Sequence, residues 1–364
     1  MKVERADVIP IAIPLKHPYK DATRMETHSR DVLLKITTDA GATGWGAAAA
    51  RSHPTGETQA GAAAVLREVL VPRLLGQDPF RREALMTSLE EAIPFHYAAK
   101  AAVDIALHDL VGKLLGRPAY DLLGGLVREA MPAFDILPLE APERTAELAR
   151  EAMAGGLRAF KVKMNQDVST SVRRVAKVRE AVGEGVMLVV DANMSWRPKQ
   201  AVAACRELVP YGVEMVEQPV PLQDLEGLAY VARESPLPIG ADESMRPDYV
   251  GELVRRRAAD VASVKVNREG GLLACKKVAA VLESANILVL CGSVVHTSLI
   301  DAAAAHFFAS TPAVAYNESG KGPAWHAADI CTGLEVREGM VRVPQGPGLG
   351  VEVDEEAVER FRVR

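Results

Sequence analysis

The chain has 364 residues, 48% hydrophobic and 25% charged, a balance that suits one large domain or two with a sizeable core and argues against disorder. A net charge of −5 with mixed signs leaves no basic stripe for a phosphate backbone, so nucleic acid is excluded as an expected partner. Four cysteines, Cys205, Cys275, Cys291 and Cys331, form no Cys-x-x-Cys pair and have no histidine at zinc spacing, so a reduced, cytoplasmic protein is expected.

The first fifteen residues, MKVERADVIPIAIPL, carry acidic residues inside a short apolar stretch and do not read as a signal peptide. No run approaches the ~20 apolar residues of a membrane-spanning helix. KVERADVIPIAIPL and DVLLKITTDAGATGWGAA, with a turn at Asp39, Ala40 and Gly41, predict antiparallel strands. ETQAGAAAVLREVLVPRLL and YAAKAAVDIALHDLVGKLLG then carry apolar residues at helical spacing, the second ending at glycine and proline. Residues 1–128 are therefore expected to form an α+β unit.

From residue 129 to 335 short apolar runs alternate with amphipathic helical stretches. The runs are AMPAFDIL, AFKVKM, VMLVVDAN, EMVEQP, LPIGADES, ASVKVN, ILVLCGS and AVAYNES, and segments such as VSTSVRRVAKVREAV lie between them. Eight strands alternating with helices predict a parallel (β/α) barrel, with a doubly wound sheet as the structural alternative. The tail, residues 336–364, loses this rhythm and is expected to return to the first unit.

Lys163, Asp191, Glu217, Asp242 and Lys265 stand at or near the C-terminal ends of successive runs, 28, 26, 25 and 23 residues apart. That interval is about one βα unit, and in a barrel it gathers all five side chains at one mouth, where active sites of this fold lie. Taken singly, an acid at a strand end is most often a helix cap or a rim charge, and a Lys-x-Lys pair a solvated strand edge. Five such residues at the spacing of one repeat argue for a shared site.

Three carboxylates in one cavity repel unless a cation lies between them. Oxygen ligands without cysteine or histidine favour Mg²⁺, with Mn²⁺ as a substitute. Asn193 and Glu243, beside the ligands in sequence, are expected to orient them. A lysine near a dication and another ammonium loses affinity for its proton and can act as a general base. Lys163 and Lys265 come from the second and sixth strands, on opposite sides of a barrel of eight. The implied reaction removes the proton α to a carboxylate, giving an enediolate that Mg²⁺ stabilises. Lys161, on the same strand face as Lys163, is expected to add positive charge beside the substrate carboxylate.

TTDAGATGWGAA, YAAKAAVDIALHDLVGKLLGRPAYDLLGG, FKVKM, VVDAN, VEQPV, GADES, VKVNREGGL and PGLGVEVD carry a resemblance over nearly the whole chain. The sequence resembles the enolase superfamily, within it the mandelate racemase / muconate lactonizing enzyme family and its two-lysine, muconate lactonizing subgroup. The resemblance implies a capping domain set on a (β/α)7β barrel, Mg²⁺ on Asp191, Glu217 and Asp242, and Lys163 and Lys265 as acid and base. It also implies a homo-oligomer and a small carboxylate substrate.

In this family the capping loops and the end of strand 8 read the substrate. The stretch AYNESGKGPAW lacks the Asp-x-Asp expected of dipeptide epimerases, whereas Asn317, Glu318 and Trp325 look like the region that receives a cationic nitrogen in enzymes of proline betaines. KHPYKDATRMETHSR, with His17, Lys20, Arg24 and His28, is expected to be a polar loop that closes over the substrate, a solvated surface loop being the plain alternative. His296 is expected to open the helix after strand 7 and to take no catalytic part. The main expectation is a racemase or epimerase of an N-modified amino acid or proline betaine. A muconate-type cycloisomerase, or a dehydratase of a hydroxy acid or hydroxyproline, would use the same residues.

Overall fold

A computed structural model describes residues 1–20, 25–52 and 55–363. At the N-terminus β1 (Val3–Lys20), β2 (Met25–Thr38) and β3 (Thr43–Ala48) form an antiparallel sheet in the order β1-β2-β3. Alternating apolar residues of β2 send Val32, Leu34 and Ile36 into the capping core with Leu66, Leu70 and Leu89. Helix Tyr97–Leu115 lies across this sheet and ends at Gly116 in the left-handed conformation. Its alanines let the two layers approach closely: a Cβ added to Gly46 would stand 2.0 Å from the Ala102 carbonyl oxygen.

The stretch Met25 to Arg30, expected as loop, belongs to β2, and β1 runs on to Lys20. Arg24 and the side chain of Lys20 lie outside the described residues. The long helix expected over residues 57–75 is helix Gln59–Val65, a wide π-turn Leu66–Leu70, and helix Val71–Leu74. Pro72, which has no N–H to donate, explains the change of winding.

The barrel run AMPAFDIL divides in two. β4 (Ala130–Pro132) pairs outside the barrel, and β5 (Asp135–Leu137) begins an eight-stranded parallel sheet. β6 (Ala159–Lys163), β7 (Met187–Asp191), β8 (Val213–Glu217), β9 (Ile239–Ala241), β10 (Val261–Val264), β11 (Leu288–Cys291) and β12 (Val314–Asn317) follow in that spatial order. The sheet curls until its edges meet, where the Phe134 N–H donates to the Asn317 carbonyl at 3.1 Å. This is the (β/α) barrel expected from the eightfold rhythm. A doubly wound sheet would leave those two edges apart.

Strand alternation sorts the side chains. Phe160, Val162, Leu188, Val190 and Val216 join the core shared with the helices, while Ala159, Val189, Met215, Val261 and Leu290 fill the barrel interior with Phe134. Above that apolar plug the inward positions turn polar. The tail contributes β13 (Cys331–Thr332), β14 (Glu335–Arg337), β15 (Met340–Arg342) and β16 (Glu352–Val353). β15 pairs with β4, the Leu349 N–H donates to Asp109 of the capping helix at 2.9 Å, and the Val363 N–H donates to Pro10 O at 2.9 Å. No helix among the described residues is long and apolar enough to cross a membrane.

Candidate active site

The parallel register sets the polar ring. Lys163 pairs with Asp191, Asp191 with Glu217, and Glu217 with Gly240, so three charged side chains leave neighbouring strands at one level. Asp242 follows β9 and Lys265 follows β10, and all five line one cavity with Lys161, Asn193, Glu243, Glu318, Lys321, Tyr19 and Trp325. β6 and β10 are four places apart in an order of eight. Lys163 and Lys265 therefore face each other across the mouth.

Each of these lysines meets a carboxylate. Lys163 Nζ lies 2.6 Å from Asp191 Oδ2 and donates to Asn193 Oδ1 at 3.0 Å. Lys265 Nζ lies 2.6 Å from Asp242 Oδ1, and Lys161 pairs with both Glu217 and Glu318. Burial alone would lower the pKa of Lys161, but Glu217 and Glu318 raise it above the ordinary lysine value. Lys163 is likewise raised, burial being outweighed chiefly by Asp191. Asp191 beside it favours the ammonium form of Lys163; the shift toward neutrality expected above is that of a lysine beside a dication.

The carboxylates respond in opposite senses. Burial pushes Glu217 well up, with Asp191, Glu318 and Asp242 adding to the rise and Lys161 opposing it. Burial also acts to raise Asp242, but Lys265 and Arg268 beside it hold it below the usual carboxylate range. Glu243 is pushed up to about 7 by burial and by the charges of Asp242 and Asp191.

Neighbours fix this ring. The Asn193 N–H donates to Asp191 Oδ1 at 2.8 Å, and its Nδ2 to Glu243 Oε1 at 3.2 Å. Gln218, at a strained φ of +36°, accepts from the N–H groups of Asp242 at 2.9 Å and Ser244 at 3.0 Å, tying the ends of β8 and β9 together. Arg268 donates to Asp242 Oδ1 at 2.9 Å and to Glu269 at 3.0 Å. At Gly292 an added Cβ would stand 2.9 Å from Lys265 Cε, so the bare backbone leaves room for that lysine's stem.

Not every expected residue reaches the cavity. Asn317 Oδ1 turns back to accept from Ser319 N at 3.0 Å and Ser319 Oγ at 2.6 Å; it caps a turn and is buried away from the lining. His28 borders a separate surface pocket with Glu26, Arg30 and Arg51; among the described residues, Tyr19 of β1 is the capping residue that lines the cavity. Glu318 and Trp325 do line the cavity, but Lys161 engages Glu318 and the Lys321 ammonium lies 5.3 Å from the centre of the Trp325 ring. The protein's own lysines thus occupy the acid and the aromatic face expected to receive a cationic nitrogen. His296 accepts or donates at 3.0 Å with Ser293 Oγ and is buried beside the start of helix Ser298–Ala309.

Gln218, Arg268 and Lys321 escaped the sequence reading. The first two sit in VEQPV and VKVNREGGL, where a buried amide and a buried guanidinium read like ordinary strand-end polarity. Lys321 sits between two glycines, and those glycines were the available signal of a built turn.

The donor set meets the demands of a hard divalent ion. Among the described residues five carboxylates line the cavity against four ammonium groups, with no sulfur or imidazole in the lining. Glu243 Oε2 is buried without a hydrogen-bond partner. Among the described residues no three acids are drawn together tightly enough to hold an ion; Asp191, Glu217 and Asp242 are each turned onto a lysine.

A parallel barrel whose strand ends carry facing lysines over a ring of carboxylates, closed by a capping domain, defines a barrel enzyme with a charged cavity at its mouth. Comparison of sequences gives the family. The mandelate racemase / muconate lactonizing enzyme N-terminal domain matches residues 5–124, and the enolase C-terminal domain-like family matches residues 144–357. The chain belongs to this family of the enolase superfamily. It is 34% identical to L-Ala-D/L-Glu epimerase of Bacillus subtilis, over 96% of this chain and 97% of that protein. It is 32% identical to muconate cycloisomerase 1-1 of Acinetobacter lwoffii, over 99% and 96%. Among solved structures, N-succinyl Arg/Lys racemase of Bacillus cereus superposes with a TM-score of 0.96 at 30% identity, covering 100% of this chain and 99% of that one. Dipeptide epimerase of Enterococcus faecalis, complexed with Mg and the dipeptide L-Leu-L-Tyr, gives 0.92 at 31% identity, covering 97% and 100%. These relatives are isomerases, and isomerase chemistry of the superfamily is the class to which this enzyme belongs.

Proposed function

We propose that the enzyme is a Mg²⁺-dependent racemase or epimerase of an N-modified amino acid, moving the proton α to the carboxylate from one face to the other. The observation that carries this reading is the pair Lys163 and Lys265, four strands apart on opposite walls of the mouth. Two facing bases suit a substrate that loses a proton on one side and regains one on the other.

Asp191, Glu217 and Asp242 are the residues that would hold Mg²⁺, or Mn²⁺ in its place, with Asn193 and Glu243 orienting them. A bound dication supplies positive charge against the negative charge that develops on the substrate carboxylate, and it competes with the lysines for these acids. Lys161 lies beside Glu217 and Glu318, where its ammonium is held protonated for contact with the same carboxylate. In one direction neutral Lys163 takes the α-proton and protonated Lys265 returns one to the opposite face. In the reverse direction the roles exchange. Gln218 and Arg268 hold Asp242, and the apolar plug beneath keeps water from the barrel floor.

An acyl-type modification of the nitrogen is favoured over a betaine, because Glu318 and Trp325 are engaged by Lys161 and Lys321. The B. cereus relative, an N-succinyl Arg/Lys racemase, adds weight to that choice. ¹H NMR in D₂O with Mg²⁺ tests the reading. N-acyl amino acids are expected to exchange their α-protons and racemise. Loss of water or ring closure in the substrate that reacts would instead assign a lyase or a cycloisomerase, the latter supported by the A. lwoffii relative.

A further inference from the structure

We propose that Lys321 is a specificity-determining residue that reads a second negative charge on the substrate, a carboxylate at the end of the acyl group. The inference deepens the functional reading above and rests on it for the position of the reacting carbon.

Lys321 is the exception among the cavity lysines. Lys161, Lys163 and Lys265 are each ion-paired, whereas Lys321 Nζ is buried with no hydrogen-bond partner among the described residues. Only 7% of the residue is exposed. Glu318, the acid with the largest effect on it, is already engaged by Lys161. Burying an ammonium without a partner is strongly unfavourable. Burial pushes its pKa down to about 8, which leaves it mostly charged at neutral pH.

The position is built. Asp301 accepts from Gly320 N at 2.6 Å and from Gly322 N at 2.7 Å, pinning both neighbours of Lys321. A Cβ on Gly322 would stand 2.3 Å from Ser298 Oγ, so the turn is seated against helix Ser298–Ala309. This is not a surface lysine that happens to be covered.

Its location identifies what it meets. Tyr19, Ile136 and Trp325 line both the catalytic cavity and an adjoining chamber of about 450 Å³, bounded by Leu15, Leu148 and Ala152. The catalytic cavity has only about 50 Å³ of free space, so a substituent on the substrate must extend toward the larger chamber. That route passes Trp325, with the Lys321 ammonium over its ring. Lys161 is committed to the reacting carboxylate, which leaves Lys321 for another anion on the substituent.

The test compares N-succinyl amino acids with partners whose acyl chain ends in a carboxamide, using the parent, Lys321→Met and Lys321→Arg with Mg²⁺. The parent is expected to favour the carboxylate by tenfold to a hundredfold in kcat/KM, the range of one charged hydrogen bond. Lys321→Met is expected to bring that ratio within about threefold of unity, and Lys321→Arg to restore part of it. An equal loss on both substrates, with the ratio intact, overturns the proposal. Calorimetric titration of N-succinylglycine and its amide reads the contact without chemistry. Tighter binding of the carboxylate that disappears in Lys321→Met, with no α-proton exchange in any enzyme, supports Lys321 and overturns the racemase reading. Exchange of both substrates with equal binding does the reverse.

Discussion

Replacing Asp31 by alanine removes the centre of a buried ion pair that joins the capping sheet to the barrel. Asp31 is fully buried and accepts from Arg51 Nη2 at 2.9 Å, Ser29 Oγ at 2.9 Å and the Thr297 N–H at 2.9 Å. Arg51 in turn donates to Arg30 O at 2.7 Å and to the carbonyl of Val295, a residue that lines the cavity at the barrel mouth. Without Asp31 the nearest acid to this guanidinium is Glu26, 3.6 Å from Arg51 Nε. Breaking one side of such a pair costs about 3–5 kcal/mol, because a charge is left buried without its partner. At about 2.1 cal/mol/K per residue, a chain of 364 residues unfolds with an entropy near 0.8 kcal/mol/K, so the expected fall in Tm is about 4–6 °C. Asp31→Asn keeps the shape and an acceptor and should lose less, about 1.5–3 kcal/mol. Calorimetry, checked against tryptophan fluorescence for a single transition, measures both. An alanine variant that melts within about 1 °C of the parent would refute the reasoning, since it would mean the pair contributes nothing that Glu26 cannot replace.

Two further outcomes follow from the charges. A Mg²⁺ concentration about 100-fold above its dissociation constant should stabilise the fold by about 2.7 kcal/mol, or 3–4 °C by the same entropy. Chelation should remove both that shift and turnover, and Asp242→Asn should abolish the shift. His306 is buried, accepts from the Tyr120 N–H at 3.2 Å, and has its pKa lowered to about 4 by burial. The unfolded chain therefore takes up this proton first as pH falls below about 6.5, and stability is lost between pH 6.5 and 4, by about 1.4 kcal/mol per pH unit for the one proton. His306→Gln should flatten the urea-measured stability profile by that slope in that window; an unchanged slope would show that His306 does not carry the titration.

The polar ring at the barrel mouth was legible because its members stand alone among apolar strand residues and recur at the length of one βα unit. Asp191, Glu217 and Lys163 end their strands in adjacent register, so sequence spacing translated directly into position. The β1–β2 hairpin was harder: HPY and THSR are mostly polar and partly exposed, and strands without an apolar face look like loop. For the same reason His28 was expected at the substrate, although it borders another pocket and Tyr19 enters the site. The run from Ala130 to Leu137 reads as one strand because nothing in its composition reveals that β15, more than 200 residues later, claims the first part. Buried polar residues were the least legible. Gln218 and Arg268 work through partners that only the closed barrel brings together.

The facing lysines can be tested one at a time by following α-proton exchange of each substrate enantiomer in D₂O with Mg²⁺, using Lys163→Ala and Lys265→Ala. Each variant should lose racemisation by about 10²–10⁴-fold, the contribution of one positioned acid or base. Each should still exchange the α-proton of one enantiomer, and the two variants should keep opposite enantiomers. A variant that racemises at the parental rate, or two variants that exchange the same enantiomer, would contradict a proton passed between Lys163 and Lys265 on opposite faces of the substrate.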